Sequence, residues 1–207
     1  MVVAAKSTSD PSSLKSFPPD PNSPQSTIST VEKEIREAGG EATAIPVDTR
    51  KFESVQELIE KCVKVSNFSF GISFKANYSQ TYGHLDVIVY NSGAIWWASV
   101  ENTPMKRFQL MQQVNTEGLY GTVQAALPHF KSNGWKGRII VVSPPIYSRF
   151  FRGKTAYAMG KVAMSILTVG LAMDWKREGK KDMAITSIWP ATVSRDALVI
   201  CPLELTK

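Results

Sequence analysis

Cysteine and histidine are nearly missing from this 207-residue chain, with two of each. Cys62 and Cys201 have no neighbour at metal-ligand spacing, and His84 and His129 stand apart. That excludes a zinc-type site and a disulfide framework, and leaves two reduced thiols as the expectation. No apolar run approaches the roughly 18 residues a bilayer span requires. The opening "MVVAAKSTSDPSS" lacks the shape of a secretory leader. Charged residues make up 20% and hydrophobic residues 43%, a globular composition that speaks against disorder. The net charge of +6 is scattered. Its densest cluster, "KREGKKD", reads as a solvated helix end, so a nucleic-acid partner is not expected. An anionic small molecule such as a nucleotide fits the charge equally well.

What is present is an alternation of strands and helices. "VVAA" is a short apolar strand ending at Lys6, followed by a Ser-, Pro- and Asp-rich loop over 7–26. "TISTVEKEIREAGG" places Ile28, Val31 and Ile35 on one helical face and stops at Gly39-Gly40. "EATAIPVDTR" holds a strand ending at Asp48, and "FESVQELIEKCVKV" a second amphipathic helix with Val55, Leu58, Ile59 and Cys62 inward. "LDVIVYNSGA" is a buried strand running into a turn. Two helices are expected next, "PMKRFQLMQQVN" and "TEGLYGTVQAALPHFKSNG". "GRIIVVSPP" is another buried strand, "KTAYAMGKVAMSILTVGLAMDWKREG" a long apolar helix, and "MAITSIWP" a last strand. The strands at 85–90 and 138–143 are apolar throughout, which predicts cover on both faces. The expected fold is α/β, a parallel sheet wound by helices in one domain spanning 1–207.

Tyr157 and Lys161 lie four residues apart in the long helix, a little over one turn, and so share a face. An ammonium beside a phenol favours the phenolate and predicts a pKa below the usual value of about 10. Such a phenol exchanges a proton with an alcohol at neutral pH. Ser143, fourteen residues before Tyr157, follows a strand's carboxyl end, where ligands bind in open α/β sheets. Its hydroxyl is placed to bond the same substrate oxygen.

With these residues in place the chain resembles the short-chain dehydrogenases/reductases from about Val2 to Val193. "YNSG", in "LDVIVYNSGA", is similar to that family's Asn-Asn-Ala-Gly segment, with Tyr90 for the first Asn and Ser92 for Ala. "VNTEG" resembles the helix that carries the active-site asparagine, here Asn115, and "SIWPAT" the Pro-Gly segment, with Ala191 for Gly. Within the family, "EIREAGGEATAIPVDTR" and "SPP" resemble the hydroxysteroid dehydrogenase-like subgroup. The resemblance implies a Rossmann-type doubly wound sheet, a nicotinamide cofactor, and hydride transfer between a small-molecule carbonyl and an alcohol. It implies Tyr157 as general acid/base, Lys161 as its partner and ribose ligand, Ser143 orienting substrate and Asn115 holding a relay water. It also implies cofactor contacts from Lys6, Asp48, Asn91, Gly93, Pro190 and Val193. Lys6, after the second strand of that fold, favours NADP, with NAD as the alternative. A homo-oligomer through the Tyr157 helix is a further expectation. The compartment is cytoplasmic, or peroxisomal or mitochondrial as in other members. The terminal "LTK" is not a Ser-Lys-Leu address.

Three features depart from that pattern. No Gly-x-x-x-Gly-x-Gly turn is found near the N-terminus, where backbone N–H groups would hold a pyrophosphate. The family's first strand is therefore expected to be missing from mid-sheet, and its two neighbours to close up and pair. The family's C-terminal strand is also missing from the pattern. Finally, "SNFSFGISFKANYSQ" at 66–80 reads as an insertion. It is either a surface hairpin or a retained intron, since "KVSN" and "ANYS" are codable by splice-site sequences. An inactive fragment or a non-catalytic binding protein on the same scaffold is the alternative to an enzyme.

Overall fold

The computed structural model describes residues 1–6, 8, 27–63, 83–143 and 151–190. The proposed insertion at 66–80, most of the 7–26 loop, Val193 and Cys201 lie outside the described residues. In chain order the elements are β1 (Val2–Ala5), α1 (Ile28–Glu37), β2 (Thr43–Pro46), α2 (Phe52–Val63) and β3 (Val87–Tyr90). Then come α3 (Met105–Met111), a π turn (Gln112–Glu117), α4 (Gly118–Ser132), β4 (Gly137–Val142), α5 (Thr155–Arg177) and β5 (Met183–Ile188).

Local chemistry sets the boundaries. Thr27 precedes α1, and its N–H donates to Thr30 Oγ1 at 2.9 Å. At the other end Gly39 takes φ +84°, where a Cβ would be strained. Gly39 and Gly40 then donate back to the carbonyls of Arg36 and Ile35 at 3.0 and 2.8 Å, which satisfies the last turn. The two helices expected over 104–134 are instead one continuous helical run. Gln112 and Gly118, at the junctions, keep right-handed helical dihedrals. The widened π turn inserts where a break was expected, so Asn115 stays inside a helix.

All strand pairs are parallel, but they form two sheets. β1 pairs with β2, and β3-β4-β5 form a separate three-stranded ladder. The expected pairing of β1 with β3 is not made. Among the described residues each has a ladder partner on one side only. Contact between the halves runs through α2 against α4.

The main core lies on one face of β3-β4-β5. Ile88, Tyr90, Ile139, Val141, Met183 and Ile185 pack against Leu119, Val123 and Phe130 of α4 and Met164 and Trp175 of α5. The period of two then sends Val87 and Val89 to the other face, where they are 52% and 58% exposed. The expectation of cover on both faces fails for β3 among the described residues. Its apolar composition fits a two-sided strand, but α4 and α5 cover only one side. Contrary to the reading that no run is long enough to span a bilayer, α5 is long and apolar enough to cross a membrane by length and composition. Here Met164, Ser165, Thr168 and Trp175 are buried within it, and it packs along β5 as a core helix.

Candidate active site

The site lies where β3 and β4 end against α5. Tyr157, Lys161 and Ser165 follow at four-residue steps and share one helical face. All three are buried. The Tyr157 ring stands edge-on to Trp97, with centroids 6.3 Å apart and planes at 67°. Lys154 Nζ lies 4.8 Å from the Trp97 ring centre on a cation–π contact.

Lys161 Nζ donates to the carbonyl of Val142 at 3.0 Å. Burial lowers its pKa to about 8. Burial also pushes the Tyr157 phenol above its ordinary value. This reverses the expectation that the lysine lowers the phenol. One of the ammonium's N–H donors goes to Val142, its own charge is disfavoured by burial, and desolvation of the phenolate prevails.

Asn115 is fully buried in the π turn. Its Oδ1 accepts from the Ala94 N–H at 2.9 Å and its Nδ2 donates to the Ala94 carbonyl at 3.1 Å. Both ends of the carboxamide therefore hold the loop that follows β3. Gly93 sits in the same corner. A Cβ there would lie 3.4 Å from Lys161 Nζ and 3.5 Å from Asn115 Oδ1. On the far side a Cβ at Gly160 would come within 3.3 Å of Asn115 Cβ, so glycine lets α5 approach the π turn closely.

Ser143 is brought to α5 but turned into it. Its Oγ lies 2.8 Å from Ser165 Oγ and 3.1 Å from the Lys161 carbonyl, and the residue is 1% exposed. Asn91 is exposed just past β3, and Pro190 is exposed just past β5.

Lys6 and Asp48 meet at the ends of β1 and β2, with Nζ 3.7 Å from Oδ2. Arg50 is the stronger partner: its Nε donates to Asp48 Oδ1 at 2.8 Å. The Arg50 guanidinium holds the Asp48 carboxyl well below the usual carboxylate range, against some desolvation. Sequence reasoning missed Arg50, Trp97 and Ser165, and the structural role of Tyr90. Ser165 had a legible signal, since it continues the four-residue step from Tyr157 and Lys161. Tyr90 did not, because its role depends on a helix distant in sequence.

Parallel strands joined by helices, with a Tyr–Lys face at the strand ends, define a Rossmann-type α/β protein. Comparison with known proteins gives the family. The short chain dehydrogenase family matches over residues 72–199. Hydroxysteroid dehydrogenase-like protein 2 of Bos taurus is 32% identical over 173 residues, covering 83% of this chain and 36% of that protein. The Homo sapiens protein of that name is 31% identical, with the same coverage. The chain thus spans little more than a third of these curated relatives. Among solved structures, a short chain dehydrogenase of Mycobacterium thermoresistibile superposes with a TM-score of 0.65 at 30% identity, over 93% of this chain and 59% of that one. An alcohol dehydrogenase of Thermococcus sibiricus, complexed with 5-hydroxy-NADP, shares the fold with a TM-score of 0.66 at 21% identity, over 93% and 65%. The chain belongs to the short-chain dehydrogenase/reductase family.

Proposed function

We propose that this chain carries the acid/base half of an NAD(P)-dependent oxidoreductase that interconverts a carbonyl and an alcohol. The observation that carries this reading is Tyr157 beside Lys161 on a buried face of α5, in a member of the dehydrogenase family. A bound nicotinamide cofactor would supply or take the hydride. Tyr157 Oη would pass the proton to or from the substrate oxygen, and Lys161 would hold the cofactor ribose. Asn115 would keep the Gly93–Ala94 corner in place beside them. Lys6 and Arg50, both against Asp48, are two cations suited to a 2′-phosphate, which supports NADP over NAD. The Thermococcus sibiricus relative of this fold was solved with an NADP analogue.

The residues present fit the two ends of such a cofactor on these observations. Gly93 leaves room beside Lys161 at one end, and two cations meet at the other. No Gly-rich pyrophosphate turn occurs among the described residues. With β1 and β3 in separate sheets, this favours a second reading, a non-catalytic protein or inactive fragment on the same scaffold.

Titration with NADPH, followed by cofactor fluorescence, separates the two. Saturable micromolar binding, with turnover of small ketones lost in Tyr157→Phe, supports the enzyme. A folded sample that binds no NADPH supports the second reading.

A homo-oligomer through α5 is part of the proposal. Met159, Ile166 and Met173 recur at seven-residue steps and are exposed, with Val169 between them. Sedimentation of the wild type against Ile166→Glu tests it: a dimer that becomes a monomer is the expected result, and a monomeric wild type overturns it.

A further inference from the structure

Two buried hydroxyls and one main-chain carbonyl meet beneath the Tyr157–Lys161 face. Ser143 Oγ donates to the Lys161 carbonyl at 3.1 Å and lies 2.8 Å from Ser165 Oγ. Ser165 Oγ reaches the same carbonyl at 3.5 Å. One residue earlier on β4, the Val142 carbonyl accepts from Lys161 Nζ at 3.0 Å. The dipeptide Val142–Ser143 thus grips Lys161 at both ends, side chain by one residue and backbone by the next. Ser143 is itself fixed to the sheet, since its N–H donates to the Ile188 carbonyl at 3.1 Å.

The proton count is closed. Two hydroxyls bring two protons. One bridges the serines, and the other goes to the Lys161 carbonyl. Neither serine is exposed by more than 3%. A substrate oxygen thus has no access to Ser143, and its hydroxyl has no proton to offer one.

We propose that Ser143 and Ser165 form a latch that fixes Lys161 against the end of β4, making both of them positioning residues and neither a substrate contact. This rests on the reading that Lys161 works beside Tyr157, but the latch is a property of the protein without cofactor or substrate. An interior hydroxyl pair of this kind is specific because each member loses its buried hydroxyl partner when the other is removed. The step of eight residues from Tyr157 to Ser165 separates their backbones by about 12 Å along the helix axis, so Ser165 acts through Lys161.

The test reads Lys161 directly. Free protein is acetylated briefly with an amine reagent, and the rate at Lys161 is followed by peptide mass spectrometry. Lys106, an exposed residue of α3, serves as the internal reference. Ser143→Ala and Ser165→Ala are each expected to speed labelling of Lys161 by about five-fold, the effect of losing about 1 kcal/mol of local closure. Lys106 should not change. Ser165→Thr keeps a hydroxyl and should label within about two-fold of wild type on the same scale. Unchanged Lys161 labelling in a folded alanine variant overturns the latch. So does Ser165→Thr labelling as fast as Ser165→Ala, or acceleration at both lysines together. If Ser143→Ala does not fold, the two Ser165 variants decide alone. Failure to bind NADPH would defeat the proposed function and leave this result readable.

Discussion

The Tyr90 phenol, at the end of β3, donates to the main-chain carbonyl of Val114 at 2.6 Å. That carbonyl belongs to the π turn, one residue before Asn115. The strand therefore holds the turn directly, and the loop after the strand holds it again through Asn115 and Ala94. Burial raises the Tyr90 pKa to about 12, so the phenol stays a donor across the physiological range.

Tyr90→Phe removes this donor and leaves a part-buried carbonyl without it. A loss of about 1–2 kcal/mol in chemical denaturation is expected. A change within experimental error would mean that water replaces the phenol.

Gly118 is coupled to the same hydroxyl. A Cβ there would collide with Tyr90 Oη and lie 3.0 Å from the Thr49 carbonyl. Gly118→Ala should cost about 1–3 kcal/mol. In the Tyr90→Phe background part of that cost should vanish, giving a coupling of about 1 kcal/mol in a double-mutant cycle. Strict additivity would show that the Thr49 backbone is the whole obstacle.

Asn115→Ala should release the corner at Ala94. Hydrogen exchange is expected to quicken at the Ala94 amide, which loses its acceptor, while β4 and β5 keep their protection. The stability loss should be about 2–3 kcal/mol, because two bonds and a buried side chain go together. Protection at Ala94 that survives the substitution would refute the assignment.

Lys161 gives a pH dependence of known sign. Its folded pKa of about 8 lies below the ordinary 10.5. Between those values the unfolded chain binds more protons than the folded one, so stability rises with pH from about 8 upward. Cys62, raised by burial from 9.0 to about 11, acts oppositely from about pH 9 upward, and Tyr157, raised from 10.0, from about pH 10 upward. Lys161→Met isolates the lysine. The variant's stability advantage over wild type should shrink by about 1 kcal/mol between pH 7 and pH 9. A gap constant with pH would mean that the amine is well hydrated.

Much of the fold was legible because its signals are local. Periodicity located α1 and α2, Gly39-Gly40 marked the end of α1, and apolar runs located β3 and β4. The four-residue step found Tyr157 and Lys161. The π turn was not legible, since no residue in "QQVNTE" carries a break or a widening, and the turn exists because Tyr90, Ala94 and Gly160 fit around it. The direction of the Tyr157 shift was missed for a similar reason. Spacing puts a lysine beside the phenol, but only packing shows that the Val142 carbonyl takes the ammonium. Ser143 was read as facing a ligand because it ends a strand, yet its rotamer is decided by Ser165.

The separation of β1-β2 from β3-β4-β5 has a consequence for how the molecule comes apart. A backbone ladder is the most cooperative tie between distant segments, and among the described residues none crosses from the two-stranded sheet to the three-stranded one. The amino-terminal part, β1, α1, β2 and α2, meets the rest chiefly where α2 packs on α4. Unfolding should therefore begin there as a distinct subunit of structure, with β4 and α5 surviving longest. Partial opening would release Lys6 and Asp48 while Tyr157 and Lys161 stayed in register. The two ends of the proposed cofactor site would then melt at different denaturant concentrations.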